Sequence, residues 1–100
     1  MIARIWHGVV PASRGGEYLS LMRGIALPEY LGTQGNRGAW CLHRTEGELT
    51  HFEMLTFWDD VEAIKRFAGE EYEQAKYYDF DPSYLIEMEP LVRHYEVYSK

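Results

Sequence analysis

His7 stands on a run, Ile2 to Val10, that alternates in the manner of a β-strand. Odd positions place Ala3, Ile5, His7 and Val9 on one face, so the imidazole is the lone polar group of an apolar row. An imidazole held in this way can accept the proton of a bound phenol, although the same placement also describes a core histidine bonded to backbone. Tyr77 and Tyr78 open the stretch Tyr77-Tyr78-Asp79-Phe80-Asp81-Pro82-Ser83-Tyr84. Their hydroxyls can close a pocket and donate to a ligand, or the rings can pack as hydrophobes with wet tips. His51 with Glu53, and His94 with Glu96, have the look of metal ligands on strands. Arg4, expected between the two pairs, repels a cation and satisfies the carboxylates instead, so no metal is expected. The single cysteine, Cys41, has no partner for a disulfide or a zinc site and reads as a small buried residue.

The elements that hold these groups follow from periodicity. The alternating runs Gly38 to Thr45 and Leu49 to Trp58, joined at Glu46-Gly47, predict a β-hairpin. Asp59 with Glu62 reads as a capping box opening a helix whose apolar face is Val61, Ile64, Phe67 and Ala68, with Gly69 as its stop. An earlier helix starts near Ser13 and Gly15 and carries Tyr18, Leu21, Met22 and Ile25. Pro28 cannot bond the carbonyl of Gly24, so a kink or break is expected near Leu27. Glu70 to Lys76 reads as a short turn continuing the later helix, Tyr77 to Tyr84 as a folded-back loop, and Leu91 to Tyr98 as the last strand.

The order is βαββαβ, a ferredoxin-like α+β fold in which a four-stranded antiparallel sheet carries both helices on one face. Ala39, Cys41, His43, Phe52 and Met54 are expected under the helices together with the odd face of the first strand. The bare face would then show Trp40, Leu42, Arg44, His51, Glu53, Leu55 and Phe57, joined by Arg4, Trp6, His94 and Glu96. That mixture of rings and charges suits a two-fold interface, so a homodimer is expected. One domain of 100 residues is too small for all 15 of its aromatic residues to be core, which points to a pocket or partner surface. A net charge of −6 opposes nucleic acid and anionic lipid as partners. No stretch approaches a membrane span or a signal peptide, so a cytoplasmic protein is expected.

The segment Thr56-Phe57-Trp58-Asp59-Asp60-Val61-Glu62-Ala63-Ile64-Lys65-Arg66-Phe67, a strand ending in Trp before a capped helix, resembles the antibiotic-biosynthesis-monooxygenase-like family of dimeric α/β barrels. The likeness covers the whole chain. It implies a pocket between sheet and helices in each subunit, and chemistry on a phenol- or quinol-type aromatic molecule without flavin or metal. In that reading His7 is the base and Tyr78 or Arg93 stabilises developing negative charge. Met22, Met54, Trp58, Phe67, Tyr77 and Arg93 are the substrate-binding candidates, with Trp58 also packing on the helix that follows it. A haem-degrading branch of the family is similar in having Asn, Trp and a haem-ligating His where His7, Phe67 and Lys76 stand here, so the iron ligand is missing. The resemblance also leaves room for a non-catalytic small-molecule-binding or stress-response barrel, and for an isomerase or dehydratase.

Overall fold

The structure, a computed structural model, describes residues 1–99. Its sheet has four strands in the order β2-β3-β1-β4: β1 Ile2–Pro11, β2 Asn36–Glu46, β3 Leu49–Trp58 and β4 Arg93–Glu96. All the pairings are antiparallel, and the expected ferredoxin-like order is the one found. Gly47, at φ 61°, turns the β2–β3 hairpin where a side chain would be strained. β4 covers only the Ile2–Ile5 half of β1; beyond it the backbone N–H of Ile86 donates to the carbonyl of Val9 at 2.9 Å, so a loop seals the remaining edge.

The faces of the outer pairs follow from register, and here the sequence reading is corrected. Trp6 lies opposite Met54, Gly8 opposite Phe52 and Arg4 opposite Thr56. Phe52, Met54, Thr56 and Trp58 are all buried beneath the helices, so the even residues of β1 share that side. Arg4 and Trp6 are therefore core residues at 1 % and 4 % exposure, while Ala3, Ile5, His7 and Val9 face away from the helices. Burying Trp6 and Val10 gains more apolar area than burying Ile5 and Val9, and Arg4 is carried inside with them. Gly8 makes this possible: a Cβ there would stand 2.5 Å from Cη2 of Trp6. β4 is reversed likewise. His94 and Glu96 pair with Arg4 and Ile2 on the helix side, whereas Arg93 and Tyr95 join the open face. Trp40, His51 and Glu53 lie on the open face as expected.

A short 3-10 turn, Ala12–Arg14, leads into α1 (Gly15–Leu21), a π-helical turn at Met22–Ala26 and α2 (Leu27–Leu31). The expected break at Leu27 is replaced by this wider turn, in which the N–H of Leu27 reaches the carbonyl of Met22. Pro28 thus falls in the first turn of α2, where its missing N–H costs little. α3 (Val61–Ala68) is capped by Asp60, which accepts from the N–H of Ala63 at 2.9 Å. Asp59, the expected cap, instead binds Arg37 at 2.9 Å on the surface. Such a cap contributes about 1 kcal/mol. The segment after Gly69 is not helical; Gln74 bridges to Leu91 instead. Among the described residues no helix is long and apolar enough to cross a membrane.

Candidate functional site

Tyr18, Met22, Ala26 and Tyr30 descend from the α1–α2 path onto Trp6 and Met54 of the sheet. The loop from Tyr77 to Tyr84 closes the third side, bringing Tyr78 and Asp81 against the same group, with Lys76 at the rim. The expected open chamber is nearly full: the void between these residues is about 10 Å³, room for roughly one water. What distinguishes it from ordinary core is its polar lining. Asp81, 1 % exposed, accepts from the Tyr18 hydroxyl at 2.6 Å and from the backbone N–H of Tyr78 at 2.6 Å. The indole Nε1 of Trp6 and the hydroxyl of Tyr78 are buried without a hydrogen-bond partner in reach, although the Glu29 carboxylate stands close enough to the Tyr78 hydroxyl to help raise its pKa. Unpartnered buried donors are rare because each costs roughly 1–3 kcal/mol.

Arg4 adds a charge beside this lining. Its guanidinium stands 5.5 Å from the centre of the Phe67 ring and donates to the carbonyl of Gln74 at 3.3 Å, while Nε and Nη1 have no partner. No carboxylate pairs with it among the described residues. Burial draws its pKa below the ordinary arginine value. The Tyr30 hydroxyl is pushed up to about 12 by burial, with Arg4 pulling the other way. Burial also raises Tyr18 and Tyr78, and lifts Asp81 above the usual carboxylate range against the lowering effect of its hydrogen bonds. A buried carboxyl that can take a proton thus stands among donors that lack acceptors, which is the equipment for deprotonating and holding an acidic hydroxyl.

Met22, Met54 and Tyr78 line the void. Trp58 and Phe67 do not: with Tyr30 they form an aromatic stack to one side, and Trp58 Nε1 donates to Thr56 Oγ1 at 2.8 Å. Tyr77 lies edge-on to Trp6 at 6.1 Å and gives its hydroxyl to the Glu89 carbonyl. Arg93 is on the opposite side of the sheet, and so is His7, which is bonded to Glu89 and His51 rather than held in an apolar row. Tyr18, Asp81 and Trp6 take the positions assigned to His7. Lys76, at the place of the absent iron ligand, is bound to Glu29 and lies 4.3 Å from the Phe67 ring centre.

No protein-family model matches this chain, and no curated protein matches it significantly. Solved structures do. One is a crystal structure of a mutant of MhuD with two manganese protoporphyrin IX molecules bound per active site, which aligns over 100 % of this chain and 97 % of its own with a TM-score of 0.65. At 19 % identity that likeness shows a common fold, the four-stranded antiparallel sheet with its helices on one face.

Proposed function

We propose that this chain, with its monooxygenase-type fold, binds and oxidises an acidic aromatic molecule of the phenol or quinol class in the helix-covered chamber. The unpartnered donors Trp6 Nε1 and Tyr78 Oη carry the reading, because a ligand oxygen placed between them repairs a cost the empty protein bears. Asp81 takes the phenolic proton in place of His7, and Arg4 offsets the negative charge left on the ring system. The anion, with water excluded, then reduces dioxygen: in an anthrone-type phenol one oxygen atom becomes the new carbonyl and the other leaves as water. The void is too small for such a ligand as it stands, so binding requires the Tyr77 to Tyr84 loop to move outward and then close again with Tyr78 and Asp81 against the ligand. The porphyrins named for the MhuD structure are also flat, conjugated and anionic, which suits a chamber of this chemistry on this fold.

Oxygen uptake with anthrone-type phenols and quinols, without added metal, flavin or reductant, tests the reaction. Tryptophan fluorescence follows binding. Saturable quenching is expected in the wild type, and calorimetric titration should show binding about tenfold weaker in Trp6→Phe, which keeps an aromatic ring and loses one hydrogen bond. Folded protein that binds none of these compounds, or that binds hemin saturably and opens its ring, would replace this reading.

We also propose a cytosolic homodimer formed through the open face. Trp40, Leu42 and Tyr95 leave about half of their surface exposed there, at 52 %, 48 % and 49 %. His51, Glu53, Arg44 and Arg93 supply both signs of charge to the same face, as a self-complementary contact requires. Sedimentation should give twice the chain mass of 11.7 kDa. Trp40→Glu should return it to one, and a monomeric wild type at high concentration would remove the proposal.

A further inference from the structure

The rim of the chamber is occupied by a carboxylate of the protein's own. Glu29, in the first turn of α2, binds Lys76 Nζ, and Lys76 lines the same small void as Trp6, Tyr78 and Asp81. Lys76 Nζ also donates to the Phe67 carbonyl at 2.9 Å and lies 4.3 Å from the centre of the Phe67 ring. Arg4 meets that ring as well, at 5.5 Å. Two cations thus border one ring, and Glu29 is the only carboxylate among the described residues that ion-pairs with either of them. In a chain of net charge −6 this is a local excess of positive charge.

Glu29 has the placement of a stand-in. Its carboxylate bonds to Lys76 and stands close enough to the Tyr78 hydroxyl to add to the effect of burial on that group's pKa, so it addresses two of the side chains that line the void. An anionic group on a ligand would make the same two contacts. The exchange costs little. The Lys76 and Glu29 side chains are 33 % and 40 % exposed, an ion pair half in water contributes little to stability, and Glu29 can turn out into solvent without being left buried. Lys76 stays behind, because the carbonyl and ring of Phe67 hold its ammonium at the rim. Sequence position couples the exchange to opening: Lys76 directly precedes the Tyr77 to Tyr84 loop, so its contact with Glu29 ties α2 to the root of the segment that must move.

Building on the phenol reading above, we infer that Lys76 determines the specificity of the chamber, and that the ligand carries, besides its phenolic hydroxyl, a carboxylate that displaces Glu29 from Lys76. The ligand class narrows to aromatic hydroxy acids. The hydroxyl goes inward to Asp81 and Trp6, which are 1 % and 4 % exposed, while the carboxylate stays at the half-wet rim, where the loss of its hydration costs least. Arg4 then faces the phenolate and Lys76 the carboxylate, one cation for each negative charge.

A dihydroxyanthrone with a ring methyl, and the same anthrone with a carboxylate in place of the methyl, are the probes, titrated calorimetrically under nitrogen so that no turnover intervenes. The wild type should bind the carboxylate about tenfold more tightly than the methyl compound. Lys76→Met should bring that ratio to about one, Lys76→Arg should keep most of it, and Glu29→Gln should widen it about threefold by removing the competitor. An ion pair that only braces the fold would act differently, since loss of either partner would change the affinity for both anthrones alike. Equal affinity of the wild type for the two compounds, a preference that survives Lys76→Met, or one that Glu29→Gln leaves unchanged or narrows, overturns the inference. In each of these cases the methyl anthrone still binds and the chamber reading stands; if folded protein binds neither anthrone, both fall together.

Discussion

Arg4→Met is expected to raise the urea midpoint of the ligand-free protein and, in the same molecule, to abolish most of its affinity for acidic aromatics. The guanidinium is 1 % exposed, makes one hydrogen bond at 3.3 Å and leaves Nε and Nη1 without acceptors. A charge taken from water on those terms is a net cost, and exchanging such buried charges for packed apolar side chains gains roughly 1–4 kcal/mol. Methionine matches the length of the stem and can lie on Phe67 as the guanidinium does. A function-neutral chain would have little reason to keep Arg4 buried and unpaired. A charge-assisted hydrogen bond to a ligand contributes about 1.5–3 kcal/mol, so the variant should bind some 10- to 100-fold more weakly. Urea unfolding and calorimetric titration read the two quantities separately. A variant that unfolds earlier yet binds as tightly would make Arg4 a structural residue.

The same arginine shows why part of the molecule was legible in the sequence and part was not. The hairpin could be read because each of its rows is set by neighbours a few residues away and by the Glu46-Gly47 turn. β1 is different. Both of its rows are mostly apolar and each holds one basic side chain, Arg4 or His7, so composition does not choose between them. Only the pairing with β3, from 38 residues distant at Pro11 and Leu49 to 56 at Ile2 and Trp58, decides which row goes inside, and a one-residue error exchanges them completely. His7 looked solitary for the same reason: Glu89 lies 82 positions away in an irregular loop. At the start of α3 two adjacent aspartates competed for the cap, and spacing alone could not reject Asp59. The aromatic loop signalled that it covers something, but not that Asp81 would meet Tyr18 across 63 residues.

That contact supports the other large effect. Asp81→Ala should destabilise the protein by about 2–4 kcal/mol, because the Tyr18 hydroxyl, fully buried, and the N–H of Tyr78 lose their acceptor together. Asp81→Asn keeps one oxygen and should cost less, while both variants should lose oxygen-uptake activity by about 100-fold, since neither can take the proton. The dependence on pH has a definite sign. Burial raises the Asp81 pKa in the folded protein, so the native state keeps this proton to a higher pH than the unfolded chain does. Its contribution to stability is complete at acid pH and is lost as pH rises from the ordinary carboxylate value through the raised one. Urea midpoints taken across that window should fall for wild type relative to Asp81→Asn, in which nothing titrates at this position. A difference that stays flat, together with unimpaired turnover in Asp81→Asn, would show the carboxyl to be only an anchor for the loop and not the chamber's proton acceptor.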